Sequence, residues 1–160
     1  MDVAKEIEKA RQAHKSNKRF VAKLKNRIPK DLDRTVANLH EEVFEEVDCL
    51  ECANCCKTTS PIIRDKDVDR LAQHLRIRPA DLIEKYMYLD SDGDYVMNTA
   101  PCPFLGEDNY CGVYEARPKA CREYPHTDRK NFHQILSLTV RNTLVCPAVG
   151  KVLERLKQVV

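Results

Sequence analysis

Glycine is scarce in this chain: four among 160 residues, at positions 93, 106, 112 and 150. No two stand close enough to build a glycine-rich phosphate cradle, which excludes a P-loop and a dinucleotide-binding fingerprint. Tryptophan is absent, and no stretch approaches the roughly 18 uninterrupted apolar residues needed to span a membrane. The N-terminal segment MDVAKEIEKARQAHK carries charge throughout and lacks the apolar core of a secretory signal. There is no internal repeat and no low-complexity linker. These absences predict a cytoplasmic protein without a membrane segment, in a compartment where thiols stay reduced. A chain of this length can bury an ordinary core, so its cysteines are not required merely to compensate for small size.

Charge is present in quantity but unevenly placed. Residues 1–30 carry ten Lys/Arg against three acids, and residues 31–51 carry eight acids against one Arg. Val3, Ile7, Ala10, His14, Asn17, Val21, Leu24 and Ile28 step by alternating fours and threes, a heptad seam with two polar members. Pro29 ends that helix. A second helix follows with Leu32, Val36, Leu39 and Val43 on one face, and with Asp31 and Asp33 favourably placed in its first turn. The two predict a helical hairpin over residues 1–47 with opposite charges facing, a docking surface for a protein partner. Binding of the basic stretch to nucleic acid is disfavoured, because the neighbouring acids cancel its field.

Further along, Thr58–Arg64 reads as a short strand. DKDVDRLAQHLRI and PADLIEKYMYL read as two helices joined around Arg78-Pro79. The pair resembles a helix-turn-helix, but its second helix, read as ADLIEKYMYLD, holds three acids and one Lys, a poor match to phosphates, so a packed αα-hairpin is preferred over a DNA-binding regulator. Asp90-Ser-Asp-Gly-Asp94 has a calcium-loop flavour, yet its glycine is one place off and no final Glu follows, so a turn between two strands is expected. Ala100–Pro125 reads as a second hairpin running into a short helix near Arg117-Pro118. After VCPAV comes an amphipathic C-terminal helix over residues 148–160. The fold class is therefore mainly α with short β-hairpins (α+β): a small metal-stapled domain over residues 48–147, preceded by the N-terminal helical hairpin.

What the sequence has in excess is sulfur. Cys49-Leu-Glu-Cys-Ala-Asn-Cys-Cys56 places four thiols in eight residues, and Cys102, Cys111, Cys121 and Cys146 follow. Structural disulfides fit poorly, since adjacent Cys55 and Cys56 would have to split between partners and a bond between neighbours is strained. Dithiol redox chemistry lacks its usual βαβ surroundings. Metal binding accounts for more, because thiolate is the soft anionic ligand preferred by zinc and iron–sulfur clusters, and eight thiols make two four-sulfur sets. Cys49-x-x-Cys52-x-x-Cys55 has the spacing of the first three ligands of a bacterial ferredoxin, and Cys146-Pro147 resembles the last of them. The radical-SAM spacing is absent. An iron–sulfur cluster is placed ahead of zinc.

CLECANCC, Cys102-Pro-Phe-Leu105, Cys111-Gly-Val-Tyr114, Arg117-Pro-Lys-Ala-Cys-Arg122 with Tyr124-Pro125, and the late Cys146 together resemble the CxxCxxCC (YkgJ-like) cysteine-cluster family. That family is described as a zinc- or iron-chelating domain and shares a cysteine motif with flagellin lysine N-methylases. The resemblance spans residues 48 to about 147 and implies metal ligation by Cys49, Cys52, Cys55, Cys56, Cys102, Cys111, Cys121 and Cys146. It implies no reaction. With so few glycines there is no evident place for a methyl donor, so the chain is not expected to be an enzyme on its own.

Around the thiols, Arg117 and Arg122 flank Cys121 and would offset the charge of a four-thiolate site, or else pair with Glu115 and Glu123. Phe104, Tyr110, Tyr114 and Tyr124 are read as its apolar shell. Glu45, Glu46, Asp48 and Glu51 form a solvated acidic face beside the first thiols. His126 is the one histidine considered as a substitute ligand. The expected role is metal binding in redox, electron-transfer or metal-handling chemistry. The alternatives are a structural zinc domain for protein–protein contact and a lysine N-methylase-like component.

Overall fold

The computed structural model describes all 160 residues, and the chain is mainly α with one two-stranded sheet. It divides into two compact units: residues 1–52 with 125–160, and residues 53–124.

In the first unit the heptad seam produces helix α1, Val3–Asn26, capped where the Asp2 carboxylate accepts the Lys5 N–H at 3.1 Å. Ile7, Ala10, Asn17, Val21 and Leu24 are buried along it, while Ile28 falls beyond its end and is exposed. Helix α2, Leu32–Glu46, buries Leu32, Val36, Leu39 and Val43, the four residues that share a face at helical spacing. These helices do not complete the core by pairing along their charged faces. The C-terminal helices α8 (Leu136–Asn142) and α9 (Pro147–Val159) do so, α9 packing on both α1 and α2. Phe132, Leu136, Val152, Leu153 and Leu156 join Val21, Leu24, Val36 and Val43 in one apolar cluster.

The acidic face of α2 finds its cation in Arg155 of α9, bonded to Glu46 at 2.6 Å and near Glu42 at 3.7 Å, rather than in the basic residues of α1. Asp33, expected to serve only the helix dipole, also accepts the N–H groups of Asn131 at 2.7 Å and Phe132 at 2.9 Å. It thereby holds the short 3-10 turn Phe132–Ile135, with fully buried Phe132, against α2.

In the second unit, helices α5 (Asp65–Leu75) and α6 (Pro79–Tyr86) pack as the expected αα-hairpin, α5 ending at left-handed Arg76 and α6 starting on Pro79. Strands β1 (Met87–Leu89) and β2 (Tyr95–Met97) pair antiparallel across the Asp90–Asp94 turn. Asp90 Oδ1 accepts the N–H groups of Asp92 and Asp94, and Gly93 supplies the left-handed φ of +79°, so this loop spends its carboxylate on its own backbone.

The strand expected over Thr58–Arg64 shrinks to a single bridge between Ile63 and Tyr95. The second hairpin likewise shrinks to one bridge between Leu105 and Cys111, because neither segment has the alternating run a longer ladder would bury. Leu71, Leu82, Met87, Met97, Val113 and Ala116 form the core, and Cys102, Phe104 and Cys111 pack at its edge.

One buried polar contact in the first unit has a measurable weight. Lys157 Nζ on α9 donates to Oδ1 of Asn17, which is 2% exposed in the heptad seam, at 2.5 Å. Lys157→Met should strand that carbonyl and lower urea stability by about 1–3 kcal/mol, whereas adding Asn17→Leu should recover much of the loss.

Candidate metal centre

The boundary between the two units runs through CLECANCC. Helix α3, Cys49–Cys52, belongs to the first, and helix α4, Asn54–Thr58, to the second. Between them buried Ala53 adopts φ +46° and ψ +16°, a left-handed conformation that breaks one helical run into two turns. The eight thiols are accordingly dealt out: Cys49, Cys52 and Cys146 in the first unit, and Cys55, Cys56, Cys102, Cys111 and Cys121 in the second. None is engaged in a disulfide.

In the second unit backbone bonds bring the thiol-bearing segments together. The Cys102 N–H donates to the Cys56 carbonyl at 2.8 Å. The Leu105 N–H donates to the Cys102 carbonyl at 3.0 Å, and Leu105 bridges Cys111. Cys121 lies in helix α7, Lys119–Glu123, which begins after Pro118.

The four side chains are half-buried and close enough to act on one another. Burial, and then the charges of Cys56, Cys102 and Cys111, push the Cys121 thiol up to about 12. Cys56 is raised by its hydrogen bond with Cys55 and by burial. Burial also raises Cys102 and Cys111, against the pull of the Phe104 and Leu105 N–H groups on the first and of Val113 N–H on the second.

Arg117 is the opposing cation. Its charge favours the thiolate at Cys56, Cys111 and Cys121. Its guanidinium sits 3.7 Å above the Tyr114 ring, and its buried Nε has no hydrogen-bond partner. Tyr114 is thus the platform of Arg117 as much as a wall of the site. Arg122 is exposed on α7, and neither arginine pairs with Glu115 or Glu123; Glu123 is met by Lys119 at 3.5 Å. Phe104 rests on Tyr86 with ring centroids 4.8 Å apart, giving the site its apolar backing, whereas Tyr110 is 56% exposed.

The segment carrying Arg117 is set by two residues that sequence reasoning passed over. Asp67, 2% exposed on α5, accepts the N–H of Arg64 at 3.0 Å, the N–H of Lys119 at 3.0 Å, and Arg70 Nη2 at 2.6 Å. Arg70 Nη2 also donates to the Arg117 carbonyl at 2.6 Å. One carboxylate therefore caps α5 and fixes the start of α7, the segment that carries Arg117 and Cys121. The sequence held one faint signal, an acid at the third helical position of α5 suited to capping.

In the first unit Cys146 stands at the N-terminus of α9, where the Val149 and Ala148 N–H groups favour its thiolate. Burial outweighs them, and with the charges of Cys49 and Cys52 lifts the thiol to about 11. His126 belongs to this unit, in a left-handed conformation. Of the acids beside the first thiols, Glu46 is drawn to Arg155, which holds its carboxyl below the usual range, and Asp48 accepts the Leu50 N–H.

An all-sulfur donor set with N–H groups aimed at sulfur and a cation alongside suits zinc or iron chemically. The side chains are not yet a finished cage, since no three Cys, His, Asp or Glu donors converge as a ready ligand set. A metal would have to draw the thiols inward as it displaced their protons.

The fold and this sulfur constellation define a helical thiol-rich chelating domain. Residues 48–140 match the family model CxxCxxCC, described as "Putative zinc- or iron-chelating domain", and the chain belongs to that family. The match takes in seven of the cysteines and stops before Cys146. No curated protein and no solved structure matches the chain. No helix is long and apolar enough to cross a membrane.

Asp67 gives this site a pH signature. Burial alone would raise its carboxyl, but the Arg64 and Lys119 N–H groups and the Arg70 guanidinium outweigh it and hold the group below the ordinary carboxylate range. Its stabilising effect is then complete above the unfolded value of about 3.9 and is lost as pH falls through the lower folded value. Urea stability of the wild type should drop across that acid window, and Asp67→Asn should be less stable at neutral pH with a flatter acid limb.

Proposed function

We propose that Cys56, Cys102, Cys111 and Cys121 are the ligands of one four-sulfur metal centre, with Arg117 offsetting its negative charge. Cys49, Cys52 and Cys146 form a separate thiol group able to take metal. The observation that carries this reading is that the segments bearing the four half-buried thiols are tied together through the Cys102–Cys56 and Leu105–Cys102 backbone bonds, and that these thiols act electrostatically on one another and on Arg117, which stacks on Tyr114. Bringing four thiolates this close is unfavourable unless a positive ion shares their charge. Cys55, hydrogen-bonded to Cys56, is a reserve ligand or a modulator of its neighbour. Arg122 is an outer cation on the same short helix.

The all-thiolate set of this centre suits an iron–sulfur cluster or zinc. An iron–sulfur cluster stands ahead of zinc for the chain only on its sequence spacing, Cys49-x-x-Cys52-x-x-Cys55 with Cys146-Pro147, which lies outside the four proposed ligands. The role is redox, electron-transfer or metal-handling chemistry in a reducing cytoplasm. When bound, a cluster would supply one-electron chemistry and zinc would supply a structural clamp. The chain's own contribution is to gather sulfur, exclude water with Phe104 and Tyr86, and lower the charge with Arg117.

Purification without oxygen decides the occupant. A brown protein absorbing near ~400 nm with acid-labile sulfide is expected; a colourless protein with stoichiometric zinc would make the structural reading correct. Cys56→Ser and Cys121→Ser should each remove about one centre's worth of metal, and Cys55→Ser should reduce metal content. Full retention in any of these variants would remove that residue from the ligand set. Arg117→Gln should weaken retention at low salt while leaving the ligand count intact.

A further inference from the structure

The first unit carries an open surface depression unrelated to sulfur. It lies outside the family-matched segment, has a volume of about 410 Å³, and is lined by Ser16, Arg19, Phe20 and Lys23 of α1 and by Lys157 of α9. Three of its five walls are cations and none is a carboxylate. Between residues 11 and 30 the chain has eight Lys/Arg and not one Asp or Glu. The ion pairs of α1 are confined to its first half, Lys9 with Glu6 and Arg11 with Glu8. Arg19 and Lys23, one helical turn apart, meet no acid.

Lys157 is the more committed wall, bonded to Asn17 and paired with Glu154 at 2.7 Å, so it is fixed in place with donor capacity remaining. Phe20, half-buried and packed on the core, gives the depression an apolar face. The Ser16 hydroxyl already donates to the Ala13 carbonyl.

We propose that this depression binds a small phosphate monoester carrying an apolar or aromatic group, the phosphate on Arg19, Lys23 and Lys157 and the remainder against Phe20. A phosphate brings roughly two negative charges and three strong acceptors, which match a planar guanidinium fork and two ammonium groups. The depression is open to solvent, with Ser16, Arg19 and Lys23 exposed, so a ligand would lie on the surface with its phosphate among the cations and not be enclosed. An extended polyanion is disfavoured, because Glu41, Glu42, Glu45 and Glu46 crowd α2 of the same unit and oppose its field.

Calorimetric titration of the intact chain with adenosine monophosphate and with inorganic phosphate, at low and moderate salt, tests the assignment. Saturable binding of the nucleotide is expected, tighter than that of phosphate alone. Arg19→Gln and Lys23→Gln should each weaken both ligands by about tenfold or more. Phe20→Leu should erase the nucleotide's advantage while leaving inorganic phosphate bound. Lys18→Gln, on the same helix but outside the depression, should change neither. Lys157 is left intact in these tests because its loss also strands Asn17.

Equal weakening by Lys18→Gln would show diffuse attraction and overturn the site, as would the absence of saturable binding. A DNA or RNA oligonucleotide, or vesicles rich in phosphatidic acid, binding more tightly than the nucleotide with a steep salt slope and no sensitivity to Phe20 would overturn it in favour of a polyanionic surface.

Discussion

Four half-buried thiols that raise one another's pKa, two of them packed on an apolar core, set the terms for the second unit. Each sulfur resists ionising because burial and its neighbours' charges penalise the anion, as Cys121 at about 12 illustrates. The fold partly offsets that penalty with N–H groups directed at Cys102 and Cys111 and with the guanidinium of Arg117. What is left over is a standing demand for positive charge, and a bound cation is the natural answer. The arrangement explains why so much of a small unit is given to fixing one short stretch of chain, Arg117–Cys121.

That stretch is positioned from a distance of some fifty residues. Asp67 and Arg70 on α5 together engage the Lys119 N–H and the Arg117 carbonyl. A buried carboxylate is costly unless its oxygens are filled, and here three donors fill them. The same bonds that make Asp67 tolerable in the interior therefore aim Arg117 and Cys121. Polar satisfaction and site geometry are one set of contacts.

The first unit works differently. Its helices are held by an ordinary apolar cluster and contribute Cys49, Cys52 and Cys146, the last at a helix N-terminus. Its surplus of basic residues is not consumed internally, because the acids of α2 are met by Arg155 of α9. That leaves Arg19 and Lys23 in the second half of α1 without an acidic partner, beside an open surface depression.

Local pattern was enough to determine the helical character, the faces of α1 and α2, the αα-hairpin, the Asp90–Asp94 turn and the nature of the chemistry. Periodicity, proline, turn residues and sulfur content are properties of short windows, and the physics that reads them is equally local. The CxxCxxCC motifs, being short windows of sequence, likewise suffice to place the chain in its family. Only tertiary structure could decide to which unit each thiol-bearing segment belongs, that α9 rather than α1 answers the charge of α2, and that Asp67 and Arg70 hold the Arg117–Lys119 segment in place. Those outcomes depend on which residues meet across separations of fifty to more than a hundred positions. Burial and pairing at that range are set by the packed whole, and no window of sequence contains them.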